Sequence, residues 1–570
     1  MRGTFDRFTI KSSLRELIMR EARKLFKNVL HRDRFLILIL IAISIYLFIF
    51  KLGESSLWNM DEPIYGEVAK EVLKLGDWIT LHFNYQPWFD KPPLYTWLTA
   101  ITFRIFGCSE FTTRIWSALF GIGGVIAVYF LGKNIFNKRA GFLSGLILAT
   151  NLQYIIQSRL ALLDVPLSFF ISLSILFFYL GDKIPNKRWY YLLSFIFMAL
   201  ATLTKGPIGI LLPALIIGLY LLLTGKLRQI KRMMLFRGII IYLGIASPWY
   251  IIELIRYGDT FINNFFLQRT IARFLTPFEG HTGPVYYFIP VLFLGFFPWS
   301  SFLPCSFVHL ISFRKWRNNE EREKSLLILL WFSVVFLFFS SAKSKLPGYI
   351  LPLYPAASLS VGKLWDDFLS QKGKHHNKGM IASFALFFIL LIILFFVIIL
   401  IARPTFPVEY ELFGQDIILM IIGLIIGGGI SFSAFFYKKP ALSLGMMIGT
   451  MCFLIWILTG QVLPKTEFFK PTKFLANKLT SVLQPGERIG DYPSSEKKFM
   501  TFNPSLIYYS NSPVVGIEDE DHLIIFLSSE KRVYCLMSEK NYNKVKGKLQ
   551  KIPVHILDRK GGEVLLSNRE

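Results

Sequence analysis

Long apolar runs alternate with short, mostly basic segments over the first 463 residues of the 570-residue chain. Runs such as 35–52, 379–401 and 416–437 are long enough for a helix to cross a hydrocarbon core of ~30 Å. The pattern predicts a polytopic α-helical membrane protein with about 13 transmembrane helices. The predicted spans are 35–52, 113–132, 139–157, 164–181, 188–204, 207–225, 237–256, 284–310, 326–341, 349–366, 379–402, 416–437 and 441–463.

The pattern changes after residue 464. The apolar runs "HLIIFLSS", "RVYCLMS" and "VHILD" are short, and turn-like segments such as "DRKGGE" separate them. Short strands with a helix near 538–549 predict a small soluble α/β domain over 465–570. The predicted domains are therefore a basic N-terminal segment (1–34), a transmembrane domain (35–464) and this C-terminal domain. Within the first, "LRELIMREARKLFKNVL" fits either a basic amphipathic helix on the inner leaflet or a disordered arm.

Composition and charge support the membrane assignment. The chain is 53% hydrophobic and 18% charged, whereas soluble domains carry roughly a quarter charged residues. The net charge of +25 comes from clusters such as "GKLRQIKR" and "KGKHHNK" that lie between apolar runs. Lys and Arg accumulate in cytoplasmic loops of membrane proteins, so this charge does not indicate nucleic-acid binding. The four cysteines lack metal-type spacing; a Cys108–Cys535 disulfide stays open, and free packing cysteines are the favoured interpretation.

The orientation follows from the basic loops. The apolar run 92–107 is short and contains Arg104. If it crossed the membrane, most later basic loops would face outward, against the positive-inside rule. We therefore predict an interfacial helix within a first outer loop at 53–112, which also places the 465–570 domain outside.

With this topology, most unusual polar residues fall on the outer side. Ionisable groups near membrane depth are costly and tend to mark function. Alternatives stay open: Asp61, Glu62 and Asp164 could cap helices, Lys205 could extend its ammonium to the interface, and His281 could be a plain loop residue. Glu67 is predicted to lie on a solvated helix face and is left out. The candidate set is Asp61, Glu62, Asp90, Lys91, Asp164, Lys205, Arg269, Arg273, His281, Lys343, Lys345 and Tyr349.

The mixture of charges indicates a chemistry. Bases at a lipid interface suit a phosphate head group, while acids suit a sugar, a cation or an attacking hydroxyl. The sequence contains no glycine-rich phosphate loop or Walker pattern. We expect a phosphate-bearing lipid substrate and displacement at its phosphate-linked carbon. Two other classes remain, a transporter or flippase of lipid-linked saccharides, which would need polar groups through its spans, and a non-catalytic assembly subunit.

Five motifs carry a resemblance to a known family. They are "DEPIYGE", "WFDKPPLYTW", "LALLDVPL", "EGHTGPVYYFIPVLFLGFFPW" and "SKLPGYILPLYP", between about residues 58 and 355. Together they resemble the bacterial branch of the protein O-mannosyltransferase-like glycosyltransferases, which have the membrane GT-C fold. Within that branch the chain is most similar to the lipid A 4-amino-4-deoxy-L-arabinose transferases.

The resemblance implies a function and a cellular location. Such enzymes move a sugar from a polyprenyl-phosphate carrier to an acceptor with inversion, at the periplasmic face of the bacterial inner membrane. A lipid A-type acceptor is favoured, and protein O-glycosylation is the alternative within the same fold. The implied partners are the donor, a lipid or glycoprotein acceptor and membrane lipids, with no nucleotide cofactor.

The resemblance also assigns roles to residues. Asp61 matches the essential acid and Asp164 the second important acid, with Glu62 as a further catalytic candidate. Asp90 and His281 resemble a metal pair, with zinc as the expected ion, although two ligands are too few for a closed structural site. The candidate phosphate ligands are Lys91, Lys205, Arg269, Arg273, Lys343, Lys345 and Tyr349.

One position departs from the aminoarabinose pattern. Those enzymes carry Arg three residues after the first acid, where this chain has Ile64. A phosphate-facing charge is therefore missing. Either Lys343 or Lys345 compensates, or the ligand differs.

Overall fold

A computed structural model of the chain describes residues 33–58, 60–184, 186–277, 280–312, 318–370, 377–492, 502–550 and 552–569. Helices make up most of it. The basic segment predicted to lie on the inner leaflet falls almost wholly outside the described residues. The α-helices are Asp33–Phe48, Asp61–Leu75, Leu94–Phe106, Glu110–Ile135, Lys138–Ala149, Leu152–Ser158, Asp164–Lys183, Trp189–Lys205, Ile208–Leu223, Leu235–Phe261, Arg273–Leu275, Phe288–Gly295, Leu303–Ile311, Asn319–Ser341, Tyr354–Leu369, Asn377–Val397, Arg403–Thr405, Pro407–Phe436, Pro440–Ile457, Leu463–Thr466, Thr472–Val482, Pro504–Ser510, Glu520–Leu527 and Glu539–Leu549.

Several helices continue into tighter or wider turns. The 3₁₀ segments are Leu227–Arg232, Val285–Tyr287, Trp299–Phe302, Pro347–Leu353 and Glu467–Phe469. The π-helical segments are Ile262–Ala272, Ile398–Ala402 and Leu458–Val462. These segments divide several of the predicted spans into more than one piece.

Seven helices in the described part of the chain are long and apolar enough to cross a membrane. The segments Val285–Gly295 and Trp299–Ile311, which meet at a bend of 112°, would add an eighth span if they cross the membrane as one unit. The chain is therefore a polytopic helical membrane protein. The other five predicted spans are occupied by helices that are shorter or broken, such as Trp189–Lys205 and Ile208–Leu223. The count of thirteen therefore stays a prediction. The seven are Glu110–Ile135, Asp164–Lys183, Leu235–Leu275, Asn319–Ser341, Lys378–Thr405, Pro407–Phe436 and Pro440–Phe469.

The first predicted outer loop contains two helices and a small hairpin. Helix Leu94–Phe106 has 13 residues, roughly 20 Å at 1.5 Å per residue, which is too short to cross the hydrocarbon core. It packs against helix Asp61–Leu75. Strands His82–Phe83 and Gln86–Pro87 pair antiparallel between these two helices. This length supports the prediction that 92–107 is not a span.

The C-terminal region forms a five-stranded mixed sheet. Strands Val514–Gly516, Arg488–Tyr492 and Val533–Ser538 are parallel neighbours in that order. Strands Glu563–Ser567 and His555–Lys560 complete it as an antiparallel pair. Gly561 and Gly562 both have positive φ in the connecting turn, which only glycine adopts at little cost. The α/β character predicted for the tail is present.

One of the three short runs in the tail is not a strand. "HLIIFLSS" lies largely within helix Glu520–Leu527, where Leu523, Phe526 and Leu527 are buried at helical spacing. Asp519 caps the helix by accepting a hydrogen bond from the His522 amide at 2.8 Å. The cap and this spacing outweigh the β-propensity of the two isoleucines.

The C-terminal region packs on the helix that begins at Asp61. Apolar residues of that helix, including Ile64 and Val68, share a buried cluster with Leu506 and Ile507. The Lys70 ammonium donates to the Tyr508 carbonyl and lies 3.6 Å from the centroid of the Tyr508 ring. One face of the helix is therefore held in place by the C-terminal region.

This docking overturns the prediction for Glu67. The residue is fully buried, and both oxygens of its carboxylate face lysines, Lys70 at 3.3 Å and Lys74 at 3.3 Å. The sequence spacing of Glu67 and Lys70 suggests a solvated face only if nothing covers the helix.

All four cysteines are free, Cys108 on the surface and Cys535 in the sheet core, as the favoured interpretation expected.

Candidate active site

A cavity of about 390 Å³ lies where the segment 53–112 meets the ends of several helices. We call it the donor cavity. Four cationic side chains line it, those of Lys91, Lys205, Arg269 and Arg273. Most of the remaining wall is apolar, and Leu211 and Leu275 in that wall are exposed on the outer surface of the helices. Such a cavity suits a ligand with an anionic head and an apolar tail.

Asp61 is the first residue of helix Asp61–Leu75, whose N-terminus has no side-chain cap hydrogen bond. Its side chain keeps contact with solvent, but protein atoms crowd around it, and this desolvation raises the pKa of the carboxyl group. Lys91 and Lys205 act in the opposite direction, whereas Asp164 and Asp90 raise the pKa further. Residues from three separate motifs therefore share one electrostatic environment.

Asp164 and Lys205 form an ion pair between two helix ends. The Lys205 Nζ atom lies 2.5 Å from the Asp164 Oδ1 atom. The same ammonium lies 5.2 Å from the centroid of the Tyr349 ring. Gly348 allows this approach, because a Cβ atom there would come 3.0 Å from the Asp164 Oδ2 atom. The pair accounts for the predicted positions of Asp164, Lys205 and Tyr349 at one place.

Lys91 points into the same cavity from the first outer loop. Its Nζ atom donates to the carbonyl oxygen of Asp90 at 3.1 Å and lies 3.8 Å from the Asp90 carboxylate. Burial lowers the pKa of Lys91 to about 8, with Asp90 acting against the shift and Arg273 adding to it. Arg269 forms a second ion pair with Asp90. Burial makes Lys91 easier to deprotonate. A phosphate bound in the cavity would act in the opposite direction, because its negative charge favours the protonated ammonium.

Glu62 occupies a different environment from Asp61. Its two carboxylate oxygens pair with Arg114, from Nε at 2.8 Å and from Nη2 at 2.8 Å. They also accept hydrogen bonds from the Trp58 and Ala161 amides at 2.8 Å each. Burial alone would raise the pKa of Glu62, but Arg114 holds it below the usual value. This geometry favours an anchoring role over the catalytic role suggested by the sequence.

Arg114 is the residue that the sequence reasoning missed. It is nearly fully buried and also donates to the carbonyl oxygens of Leu52, Ser55 and Ser56. A signal for it exists, because an arginine stands at the beginning of a predicted apolar span, where a charge is costly without a partner.

Three other candidates lie away from the donor cavity wall. Lys345 is buried, and its ammonium donates to the carbonyl oxygens of Ser340, at 2.9 Å, and Ala342. Lys343 is exposed, and the main-chain carbonyl oxygen of His281 accepts a hydrogen bond from the Lys345 amide at 3.0 Å. Neither lysine lines the cavity, and Ile64 does not line it either, so the prediction that one of these lysines replaces the missing arginine gains no support.

The expected metal pair is not assembled among these side chains. In the described ranges no group of three or more His, Cys, Asp and Glu residues is placed to hold a metal ion. Asp90 is instead engaged by Arg269 and Lys91, two cations that compete with a metal for its oxygens. The arrangement does not fit a metal centre, and no catalytic step is derived through one.

Comparisons with known proteins give one family and several relatives. Residues 90–252 match the family described as dolichyl-phosphate-mannose-protein mannosyltransferase. The chain is 27% identical over 496 residues to the undecaprenyl phosphate-alpha-4-amino-4-deoxy-L-arabinose arabinosyl transferase of Shewanella sediminis, covering 84% of this chain and 87% of that one. It is 32% identical over 315 residues to an uncharacterized protein of Aquifex aeolicus, covering 55% and 70%.

Two solved structures share the fold. The crystal structure of ArnT from Cupriavidus metallidurans bound to undecaprenyl phosphate superposes with a TM-score of 0.78 at 21% identity, over 93% of this chain and 97% of that one. The oligosaccharyltransferase AglB from Archaeoglobus fulgidus gives a TM-score of 0.50 at 12% identity, over 90% and 70%. At these identities the likeness concerns the fold.

Proposed function

The chain belongs to the dolichyl-phosphate-mannose-protein mannosyltransferase family of GT-C membrane glycosyltransferases that use a polyprenyl-phosphate sugar donor, and from this premise we propose that it glycosylates an envelope lipid. The proposed donor is an undecaprenyl-phosphate sugar, in keeping with the names of its relatives, and the favoured acceptor is a lipid A-type lipid. The reaction takes place on the periplasmic side of the inner membrane and inverts the anomeric carbon.

The position of Asp61 carries the proposal. It stands in the electrostatic field of Lys91, Lys205 and Asp164, beside a cavity whose bases suit a phosphate and whose apolar wall suits a polyprenyl chain. A transporter would need polar groups along its spans. Here the charged side chains converge around one cavity, which supports chemistry at a fixed place.

Lys91 and Arg273 are the proposed phosphate clamp, with Arg269 at its edge. Lys205 is largely neutralised by Asp164, so we assign the pair to orienting the donor. In the transition state the bond between the anomeric carbon and the phosphate oxygen breaks, and the phosphate leaves with the electron pair. Fixed cations at that oxygen stabilise the developing charge.

Asp61 of the motif "DEPIYGE" is the proposed catalytic carboxylate, with Asp164 supporting it. If the acceptor is a hydroxyl, Asp61 takes its proton as the oxygen attacks the anomeric carbon, and the raised pKa of Asp61 favours that transfer. If the acceptor is a lipid phosphate, no proton is removed, and the Asp61 carboxylate stabilises the positive charge that develops on the sugar. Glu62 is reassigned to holding the first turn of this helix against Arg114.

The topology proposal keeps thirteen spans, a periplasmic first loop at 53–112 and a periplasmic domain at 465–570. Cys108 is exposed, whereas Cys535 is buried. We therefore expect a membrane-impermeant maleimide to label Cys108 in intact spheroplasts. Labelling that requires permeabilised membranes would contradict the orientation.

Binding of zinc by Asp90 and His281 can be tested directly. We expect no role for a metal in the transfer step, because Asp90 is engaged by Arg269 and Lys91. Zinc content of the purified protein, compared with the His281→Ala variant, decides whether the pair binds an ion at all.

The experiment for the function as a whole is a comparison of deletion and parent cells. Mass spectrometry of lipid A, other glycolipids and envelope glycoproteins should show one lipid species that lacks a sugar in the deletion strain. A missing sugar on a glycoprotein instead would favour the protein O-glycosyltransferase alternative. No difference in any of the three classes would contradict the proposal.

A further inference from the structure

A second cavity, of about 350 Å³, adjoins the donor cavity at the ion pair between Asp90 and Arg269, and both residues line both cavities. We call it the second pocket. One wall comes from the first outer loop and the other from the chain around the end of helix Leu235–Phe261. The side chains that matter for its chemistry are those of Gln86, Trp88, Phe89, Tyr257, Thr260 and Asn264.

The walls of the second pocket combine aromatic faces with uncharged polar groups. The Phe89 and Tyr257 rings meet edge to face with centroids 5.0 Å apart, and Phe89 is buried. Gln86 and Thr260 are exposed and supply an amide and a hydroxyl. A sugar ring offers an apolar C–H face and a rim of hydroxyl groups, so it matches such a wall on both counts.

The charge of the second pocket separates it from the donor cavity. Of its described lining residues, Arg269 alone is cationic, and Asp90 neutralises it. The donor cavity has Lys91 and Arg273 in addition, besides Lys205, which is paired with Asp164. A polyprenyl phosphate therefore has much the stronger attraction to the donor cavity, which leaves the second pocket to a less charged group.

A single segment serves both cavities. Helix Leu235–Phe261 is broken at Gly258, whose φ of 50° and ψ of −125° are non-helical, and the chain then continues as the π-helical segment Ile262–Ala272. In this segment Asn264 lines the second pocket, Phe265 lines the donor cavity, and Arg269 lines both. Wider helical turns often mark functional sites because they re-aim side chains.

From this juxtaposition we propose that the second pocket binds the carbohydrate head group of the acceptor, with the Asp90–Arg269 pair as the boundary between acceptor and donor. This rests on the proposed function, because it presumes a glycolipid acceptor. Tyr257 and Trp88 stack on the sugar, and Asn264, Thr260 and Gln86 exchange hydrogen bonds with its hydroxyls. None of these residues touches the transferred atoms, so they set acceptor affinity and specificity.

Asn264 and its neighbour Asn263 offer a matched pair of variants. Asn264 lines the second pocket, while Asn263 is exposed and lines neither cavity. We expect Asn264→Ala to raise the KM for lipid A about tenfold, the usual value of one or two lost hydrogen bonds, with donor affinity unchanged. Asn263→Ala should keep both parameters.

A labelling measurement tests the site without relying on turnover. The exposed Thr260 is replaced by cysteine in a Cys108→Ser background, and the rate of maleimide labelling is followed. Lipid A should slow the labelling several-fold, and undecaprenyl phosphate alone should not. Protection by undecaprenyl phosphate instead would assign the pocket to the donor, and absence of protection by lipid A would overturn the proposal whether or not transfer occurs. Failure of transfer to lipid A with protection intact would count against the proposed function and leave the pocket standing.

Discussion

The Nζ atom of Lys205 lies 2.5 Å from the Oδ1 atom of Asp164, although 41 residues separate them along the chain. This contact fixes the start of helix Asp164–Lys183 relative to the end of helix Trp189–Lys205. It also reduces the charge that Lys205 can offer a phosphate. The clamp for the donor therefore depends mainly on Lys91 and Arg273, since Arg269 is paired with Asp90.

Donor binding should depend on pH through Lys91. Burial lowers the pKa of Lys91 to about 8, and only the protonated ammonium attracts the phosphate. As the pH rises above about 8 the free protein loses this charge, so the Kd for undecaprenyl phosphate should increase by up to about tenfold per pH unit. The measurement is a binding titration from pH 7 to pH 9.5.

Lys91→Arg is the matched variant for this test, because a guanidinium stays charged throughout that range. Its Kd should be weaker than that of the unaltered protein at pH 7 and nearly flat with pH. If both proteins respond to pH equally, the titrating group lies elsewhere.

Substitutions of Glu62 and Asp61 should differ in their effect on thermal stability, because Glu62 is assigned a structural role and Asp61 a catalytic one. Glu62→Gln leaves Arg114 buried without its counter-charge, and breaking a buried ion pair costs about 3–5 kcal/mol. We expect a large drop in thermal stability and in yield for this variant. Asp61→Asn, with an exposed side chain, should melt close to the unaltered protein.

The docking of the C-terminal region should depend on the absence of a side chain at Gly66. A Cβ atom there would lie 2.6 Å from the Tyr508 ring, so Gly66→Ala should loosen the contact. Limited proteolysis should then release a fragment from 465–570 faster, and transfer activity should fall because helix Asp61–Leu75 loses its support. Adding Tyr508→Ala should restore part of the protease resistance.

The control for this prediction is Gly445→Ala. A Cβ atom at Gly445 would meet nothing within 4 Å, although the residue also lies in a helix. Proteolysis of this variant should match that of the unaltered protein. Equal resistance of the Gly66→Ala and Gly445→Ala variants would mean that the contact with Tyr508 does not hold the region in place.

The sequence pointed to Asp61, Lys91, Asp164 and Lys205 because each lies between apolar runs or at the end of one, and the distribution of basic loops predicts that these segments face the same side. It did not reveal which neighbouring acid is engaged. Asp61 and Glu62 are adjacent, but a helix turns them by about 100°. Only the tertiary packing brings Arg114 to Glu62, from a helix that begins 48 residues later.

Burial of the outer-loop helix was equally hidden. Glu67 and Lys70 have the spacing of a surface pair, and the surface that covers them is contributed by Tyr508, more than 400 residues away. Lys345 shows the same limit in the opposite sense. Its position in a basic motif suggested a phosphate ligand, but its ammonium donates hydrogen bonds to two backbone carbonyl oxygens.

The central claim is that Asp61 acts on the reacting sugar and does not merely begin a helix. Asp61→Asn keeps the size of the side chain and should cost at most about 1 kcal/mol of stability if the residue only favours the helix N-terminus. A group used in the transition state lowers turnover while donor affinity changes little.

The most direct measurement is therefore transfer of sugar from a radiolabelled undecaprenyl-phosphate donor to lipid A in proteoliposomes. Donor binding and melting temperature are recorded on the same preparation. We predict that Asp61→Asn lowers the turnover number about a hundredfold or more, the usual effect of removing a positioned acid–base group, with donor affinity and melting temperature nearly unchanged. Near-normal transfer by the well-folded Asp61→Asn protein would contradict the mechanism proposed here.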